Sequence, residues 1–144
     1  MEWVVVTVAL LTIVISIAVL IVFLFSSGNK EPIPTRMWYV ELWNICYGYV
    51  VQLQFSGAVV VGRESIYQYS TGSVPPEPDC TVSMEHCMLY EQCGQIFAAN
   101  MSVVNPTVIN GRRANTPCTI HPGDRLELGK SVFLITRVMP LERT

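Results

Sequence analysis

From Asn105 to Gly129 the sequence is punctuated every few residues, and that punctuation limits what the chain can fold into. Asn110-Gly111 is a two-residue turn signal, because both residue types accept the positive φ that tight hairpins need. Val108-Ile109 before it is short and β-branched, as a strand end is. After Pro122-Gly123-Asp124, Leu126 and Leu128 alternate with Arg125 and Glu127, the period-two pattern of a half-buried strand. Gly129-Lys130 then turns the chain into the apolar run Val132–Ile135. The C-terminal third is predicted to be a meander of short antiparallel strands.

Upstream the same style continues. Met37–Trp43, Tyr47–Phe55 and Ala58–Val61 read as strands, rich in Val, Tyr and Trp, with Ser56-Gly57 as a hairpin turn between the last two. Cys87–Tyr90 and Gln95–Ala98 read as short strands around Gln92-Cys93-Gly94. Ser70–Asp79, with Thr71-Gly72-Ser73 and Pro75-Pro76-Glu77-Pro78, is predicted to be an exposed loop. No segment after residue 25 sustains a 3.6-residue period. Many short strands with frequent turns predict an all-β antiparallel sandwich over residues 37–144.

The first residues are of another kind. Trp3 to Phe25 carries no charge, and its only polar side chains are Thr7, Thr12 and Ser16. As a helix this run is about 35 Å long at 1.5 Å per residue, against a hydrocarbon core of about 30 Å. The three hydroxyls can bond back to helix carbonyls, so they do not oppose insertion. A cleaved signal peptide is the rival reading, but the run lacks a basic flank and exceeds the usual apolar length of such peptides. The expectation is a single transmembrane α-helix within residues 1–25, followed by a proline-stiffened linker at 26–36. Lys30 and Arg36 follow the helix and no basic residue precedes it. The positive-inside rule then puts the C-terminal domain on the cytoplasmic side of the cell membrane.

Five cysteines cannot all pair within one chain, and none shows zinc-site spacing, so they read as free thiols in a reducing compartment. Two disulfides and one free thiol, in an exported domain, are the alternative. A net charge of −2, with Arg112-Arg113 the only basic doublet, excludes a nucleic-acid signature. No metal cluster, phosphate loop or nucleophile–base set stands out, so neither an enzyme, a cofactor nor a small-molecule substrate is expected.

Four pieces stand in suggestive order: Gly62-Arg63 after a valine run, Ser83-Met84-Glu85-His86, Asn105-Pro106-Thr107-Val108-Ile109-Asn110-Gly111, and Gly123-Asp124-Arg125-Leu126-Glu127-Leu128-Gly129. Together they resemble a forkhead-associated (FHA) domain, over roughly residues 38–139. The resemblance implies a phosphothreonine-binding β-sandwich with its recognition surface on loops at one end. It assigns Arg63 and Ser83 to the phosphate and Asn105 to the backbone of the bound peptide. An arginine suits that role, since its planar fork gives two charge-assisted bonds to phosphate oxygens. It makes His86 a structural brace, and Gly62 and Asn110-Gly111 structural turns.

Three positions depart from the family pattern. Met84 stands where a polar or basic residue usually helps to hold the phosphate. Val104 stands where Ser or Thr is usual, and Pro106 replaces a glycine, fixing φ and removing an N–H. Arg112 and Arg113 are the residues that would compensate if they lay beside the peptide. The expected partner is thus a protein carrying a phosphorylated threonine, with residues 3–25 in the lipid bilayer. A phosphate-independent scaffold module of a membrane assembly is the rival, and the apolar Met84 and Val104 favour it.

Overall fold

The computed structural model describes residues 2–26, 36–75 and 77–142, which divide into two compact units, Met1–Pro34 and Thr35–Thr144. The linker expected at 26–36 lies outside the described residues, apart from its two end positions.

In the first unit, helix α1 spans Glu2–Ser26. Ser16 Oγ donates to the Thr12 carbonyl at 2.8 Å, so this hydroxyl is satisfied within its own helix. Side chains are described for only part of α1, and among the described residues no helix is long and apolar enough to cross a membrane.

The second unit is built of short antiparallel strands. Its elements are β1 (Met37–Asn44), β2 (Val50–Ser56), β3 (Ala58–Val61), α2 (Arg63–Gln68), β4 (Ser70–Thr71), β5 (Cys87–Gln92) and β6 (Gln95–Asn100), then β7 (Thr107–Ile109), β8 (Arg112–Arg113), β9 (Cys118–Thr119), β10 (Arg125–Leu128) and β11 (Ser131–Leu141). One sheet runs β4-β2-β1-β11-β10-β7-β8 and the other β3-β5-β6-β9. Alternation along each strand sends one face inward: Trp38, Val40 and Leu42 from β1, Val51, Leu53 and Phe55 from β2, Phe133 and Ile135 from β11. These meet Val61, Cys87, Leu89, Ile96 and Ala98 of the second sheet in one apolar core. A bulge between Glu41 and Leu42 shifts the β1–β11 register, and Glu41 then faces Arg137 across the outer surface at 3.8 Å.

The sandwich is therefore as expected, with four local corrections. Ser56-Gly57 is not a hairpin turn: β2 and β3 belong to different sheets, and Gly57, at φ +77°, makes the corner between them. The strand predicted from Tyr47 begins only at Val50, because Asn44 Oδ1 accepts the Cys46 and Tyr47 N–H groups at 3.0 and 2.9 Å and holds them in a turn. The C-terminal third is two hairpins, β7–β8 and β10–β11, rather than one meander, since β9 crosses to the other sheet. Finally, one short helix, α2, interrupts the strands after β3. Six residues are too few to show a helical period in sequence.

Candidate functional site

Gly62 joins β3 to α2, and its place explains why no other residue serves there. Its φ of −153° is open to any residue, but a Cβ would stand 1.7 Å from the Met84 carbonyl oxygen and 2.5 Å from its carbon. The backbone of the 80–86 loop is laid directly on it. Gly62 N–H donates to Ser65 Oγ at 2.8 Å and Ser65 Oγ returns a bond to the Gly62 carbonyl at 3.1 Å, which starts the helix.

Arg63 is the first residue of α2. Its N–H donates to the Ser83 carbonyl at 3.0 Å, its Nε to the Val82 carbonyl at 3.0 Å and its Nη2 to the Cys80 carbonyl at 3.1 Å. The guanidinium thus holds the loop by two carbonyls. Among the described residues its three other N–H groups have no acceptor. Arg63 also lines a cleft of about 420 Å³ whose other walls include Tyr47, Tyr67, Asp79 and Lys130.

Ser83 and Asn105 are brought together through a residue that the motifs did not single out. Ser83 Oγ lies 2.7 Å from Ser102 Oγ, and Ser102 Oγ accepts the Asn105 N–H at 3.2 Å. Asn105 Nδ2 donates to the Thr81 carbonyl at 2.8 Å, so the asparagine side chain crosses from one loop to the other. His86 is wholly buried, and its Nδ1 accepts the Ser83 N–H at 3.0 Å. The imidazole proton must then sit on Nε2, which faces the Asn105-Pro106 backbone without closing a well-formed hydrogen bond. Burial pushes the His86 pKa down, against the opposing pull of the Pro106 and Asn105 backbone and the Asp79 charge. The ring is neutral at neutral pH and braces the loops. The His86 carbonyl accepts from Met101 and Ser102 N–H at 2.9 and 3.2 Å, which ties the 102–105 segment to the same histidine.

A second brace was missed in the sequence. Asp79 Oδ1 accepts the Thr81 N–H at 2.8 Å and its hydroxyl at 2.6 Å, while Oδ2 accepts the Ser131 hydroxyl at 2.7 Å. Thr81 Oγ1 in turn accepts the Lys130 N–H at 2.7 Å. Burial disfavours charge on Asp79, but the Thr81 and Ser131 hydrogen bonds and the nearby Lys130 outweigh it, and the carboxyl pKa falls below the ordinary value. Gly129 packs here as Gly62 does, since a Cβ would stand 2.5 Å from the Thr81 carbonyl oxygen. The legible signal was Asp-x-Thr, the pattern of an Asx turn.

The remaining expected residues divide into two groups. Asn110 and Gly111, at φ +51° and +79°, form the β7–β8 turn, and Asn110 pins it to β10 by Nδ2 to Asp124 Oδ1 at 3.0 Å and by accepting the Arg125 N–H at 2.9 Å. That turn is structural. Arg112 and Arg113 lie on the edge strand β8 rather than in a loop, both exposed, opposite Ile109 and Val108. Neither is bonded to the Ser83–Ser102–Asn105 group. Met84 and Val104 are 51% and 76% exposed, so neither is packed into the core.

Residues 59–129 match the family model of the FHA domain. The chain carries an FHA domain. No curated protein matches the chain, but solved structures do. Mycobacterium tuberculosis EmbR, in complex with a low-affinity phosphopeptide, is 18% identical with a TM-score of 0.53; the match covers 68% of this chain and 24% of EmbR. This chain thus spans about a quarter of EmbR. A structure from work on phosphothreonine-dependent FHA domain interactions is 23% identical, with a TM-score of 0.52, covering 72% of this chain and 99% of its own. The FHA domain of human APLF, in complex with an XRCC1 bisphospho peptide, is 26% identical with a TM-score of 0.50, covering 69% and 98%. The FHA segment of this chain contains both glycines that seat the 81–84 backbone and every residue of the Arg63, Ser83, Ser102 and Asn105 group. Among the described residues no group of three His, Cys, Asp or Glu is placed to hold a metal, and all five cysteines are free thiols.

Proposed function

We propose that this chain is a membrane-anchored FHA module that binds a phosphothreonine segment of a protein partner and brings that partner to the membrane. The observation that carries the reading is the convergence of Ser83, Ser102 and Asn105 on adjoining loops held by His86 and Asp79, with the Arg63 guanidinium bonded to the Cys80 and Val82 carbonyls of the same 80–86 loop. Three N–H groups of Arg63 and the paired hydroxyls meet the need of a phosphate bearing about −1.5 to −2 charge. Asn105 orients the peptide backbone. The anchor is the uncharged run 3–25, and Lys30 and Arg36 after it support a cytoplasmic domain.

The test is binding of the purified full chain to a phosphothreonine peptide library, beside phosphoserine and unphosphorylated controls, with Arg63→Ala in parallel. Phosphothreonine-selective binding that Arg63→Ala removes, with folding kept, supports the reading. A phosphate-independent scaffold is the second reading, and one observation favours it: two Arg63 N–H groups are already engaged by loop carbonyls. A well-folded chain that binds none of the phosphopeptides would select it. Protease access to a C-terminal tag in intact cells tests the orientation separately.

A further inference from the structure

Val103 is 99% exposed and Val104 76%, whereas the described valines of the second unit outside this bend are inward or half-covered except Val60 at 36%. Neither local conformation nor packing accounts for them. They are the two central residues of a bend whose ends, Ser102 and Asn105, are closed by the 3.2 Å bond from Asn105 N–H to Ser102 Oγ. Bends favour Gly, Asn, Asp and Ser at such places, and β-branched residues gain nothing there. The bend turns both side chains out of the domain. Met84, 51% exposed, is one residue from Ser83, and Val103 is one residue from Ser102. The 2.7 Å Ser83–Ser102 contact ties those two loops together. Three apolar side chains therefore rim the junction where the polar group converges.

We infer that Val103, Val104 and Met84 select the partner: the segment that binds carries large apolar side chains beside its phosphothreonine, and these cover the rim. The inference rests on the phosphothreonine reading and goes beyond it. The continuity is direct, since each residue of the rim is the sequence neighbour of Ser83, Ser102 or Asn105. Covering an exposed valine strengthens binding by about tenfold or more. The rim also explains how a site lacking a basic residue at position 84 would still bind: apolar contact replaces part of what charge supplies elsewhere.

The experiment is a library of fixed-phosphothreonine peptides with randomised flanks, probed with the full chain, with a Val103→Ser/Val104→Ser double variant, and with Met84→Ser. All three positions are exposed, so the variants keep the thermal unfolding of the parent, which is checked first. The expected result is enrichment of apolar flanks by the parent, a tenfold to hundredfold loss of affinity for the best peptide in the double variant, and unchanged preference for phosphothreonine over threonine. Phosphothreonine-dependent binding without apolar enrichment, or with enrichment that the variants leave intact, overturns the inference and leaves the proposed function standing. Absence of any phosphothreonine dependence overturns both. A parent that self-associates in sedimentation, with the double variant monomeric and its peptide preferences unaltered, assigns the rim to a second copy and overturns the inference as well.

Discussion

Gly62→Ala is the substitution whose cost can be worked most directly from the structure. The backbone at Gly62 is extended, at φ −153° and ψ −172°, so alanine meets no conformational penalty of its own. The cost is contact alone. The new methyl would stand 1.7 Å from Met84 O, 2.5 Å from Met84 C and 3.0 Å from Ser83 O. These are main-chain atoms, with no flexible end to swing aside, so the loop must retreat by well over an ångström. Retreat breaks the 3.0 Å bond from Arg63 N–H to Ser83 O and strains the neighbouring 3.1 Å bond from His86 N–H to Val61 O. Overpacking costs about 1–3 kcal/mol, and each net hydrogen bond lost adds ~0.5–1.5 kcal/mol. The expected destabilisation is about 2–4 kcal/mol. Urea unfolding, followed by tryptophan fluorescence, gives that number. Amide exchange at Arg63, Ser83 and His86 shows where it arises. Gly111→Ala is the control. It sits at φ +79° with open space around its Cβ position, so it carries only the left-handed backbone penalty of about 1–2 kcal/mol, and its effect is confined to the β7–β8 turn. A Gly62→Ala protein within 0.5 kcal/mol of the parent, with loop amides as protected as before, would refute the seating of the loop on this glycine.

Two further outcomes follow from the same loops and core. Because the folded Asp79 carboxyl ionises below the ordinary value, the unfolded chain takes up the proton first as pH falls. Its contribution to stability is whole above about pH 3.9, the unfolded carboxyl's value, and is lost as pH falls through the lower folded value. Asp79→Asn lowers stability at pH 7 by ~1–2 kcal/mol, since bonds to a charged acceptor are the stronger ones, and flattens the acid limb of the unfolding curve; an unchanged acid limb would rule out this carboxylate as its source. Burial pushes the Cys87 thiol up to about 12, against hydrogen bonds from Thr107 and Ala99, while Cys46, Cys80 and Cys93 are exposed. At pH 8 an aromatic disulfide reagent should therefore consume the exposed thiols quickly and Cys87 only after denaturant is added, and five equal rates would contradict its burial.

What the sequence made legible was set by whether a feature is local. The Asn110-Gly111 turn depends on two residues' own φ preferences, and it forms as expected. The alternation of Leu126 and Leu128 depends on the strand's period, and both are fully buried. Ser56-Gly57 carries the same kind of turn signal yet makes a corner between sheets, because what separates a hairpin from a corner is the partner that each flanking strand finds. β3 finds β5, about thirty residues further on, and no local pattern states that. The helix α2 was hidden for the opposite reason. Its six residues are too short for a period to show, and its start is fixed by Gly62 and Ser65.

The candidate site shows the same division within a smaller compass. Motif residues were legible because each makes a contact that few residue types can make: Gly62 and Gly129 by lacking a Cβ, His86 by accepting the Ser83 N–H from a buried position. Ser102 was not legible, although it sits at the centre of the polar group: its bond from the Asn105 N–H is ordinary turn chemistry, and what joins it to the other loop is the 2.7 Å approach of Ser83 from a segment nineteen residues away. Met84 and Val104 were legible as departures but not as to their consequence. In sequence, an apolar residue at a polar position can mean a side chain folded inward to repair packing or one left outside for a partner. Exposure decides between the two, and at 51% and 76% both are outside. A scaffold that docks a partner through an apolar patch would use these side chains, as would a site that binds a phosphorylated segment, but only the second would choose its peptides by their flanks. Peptide selection by the rim is for that reason the measurement on which the meaning of these departures turns.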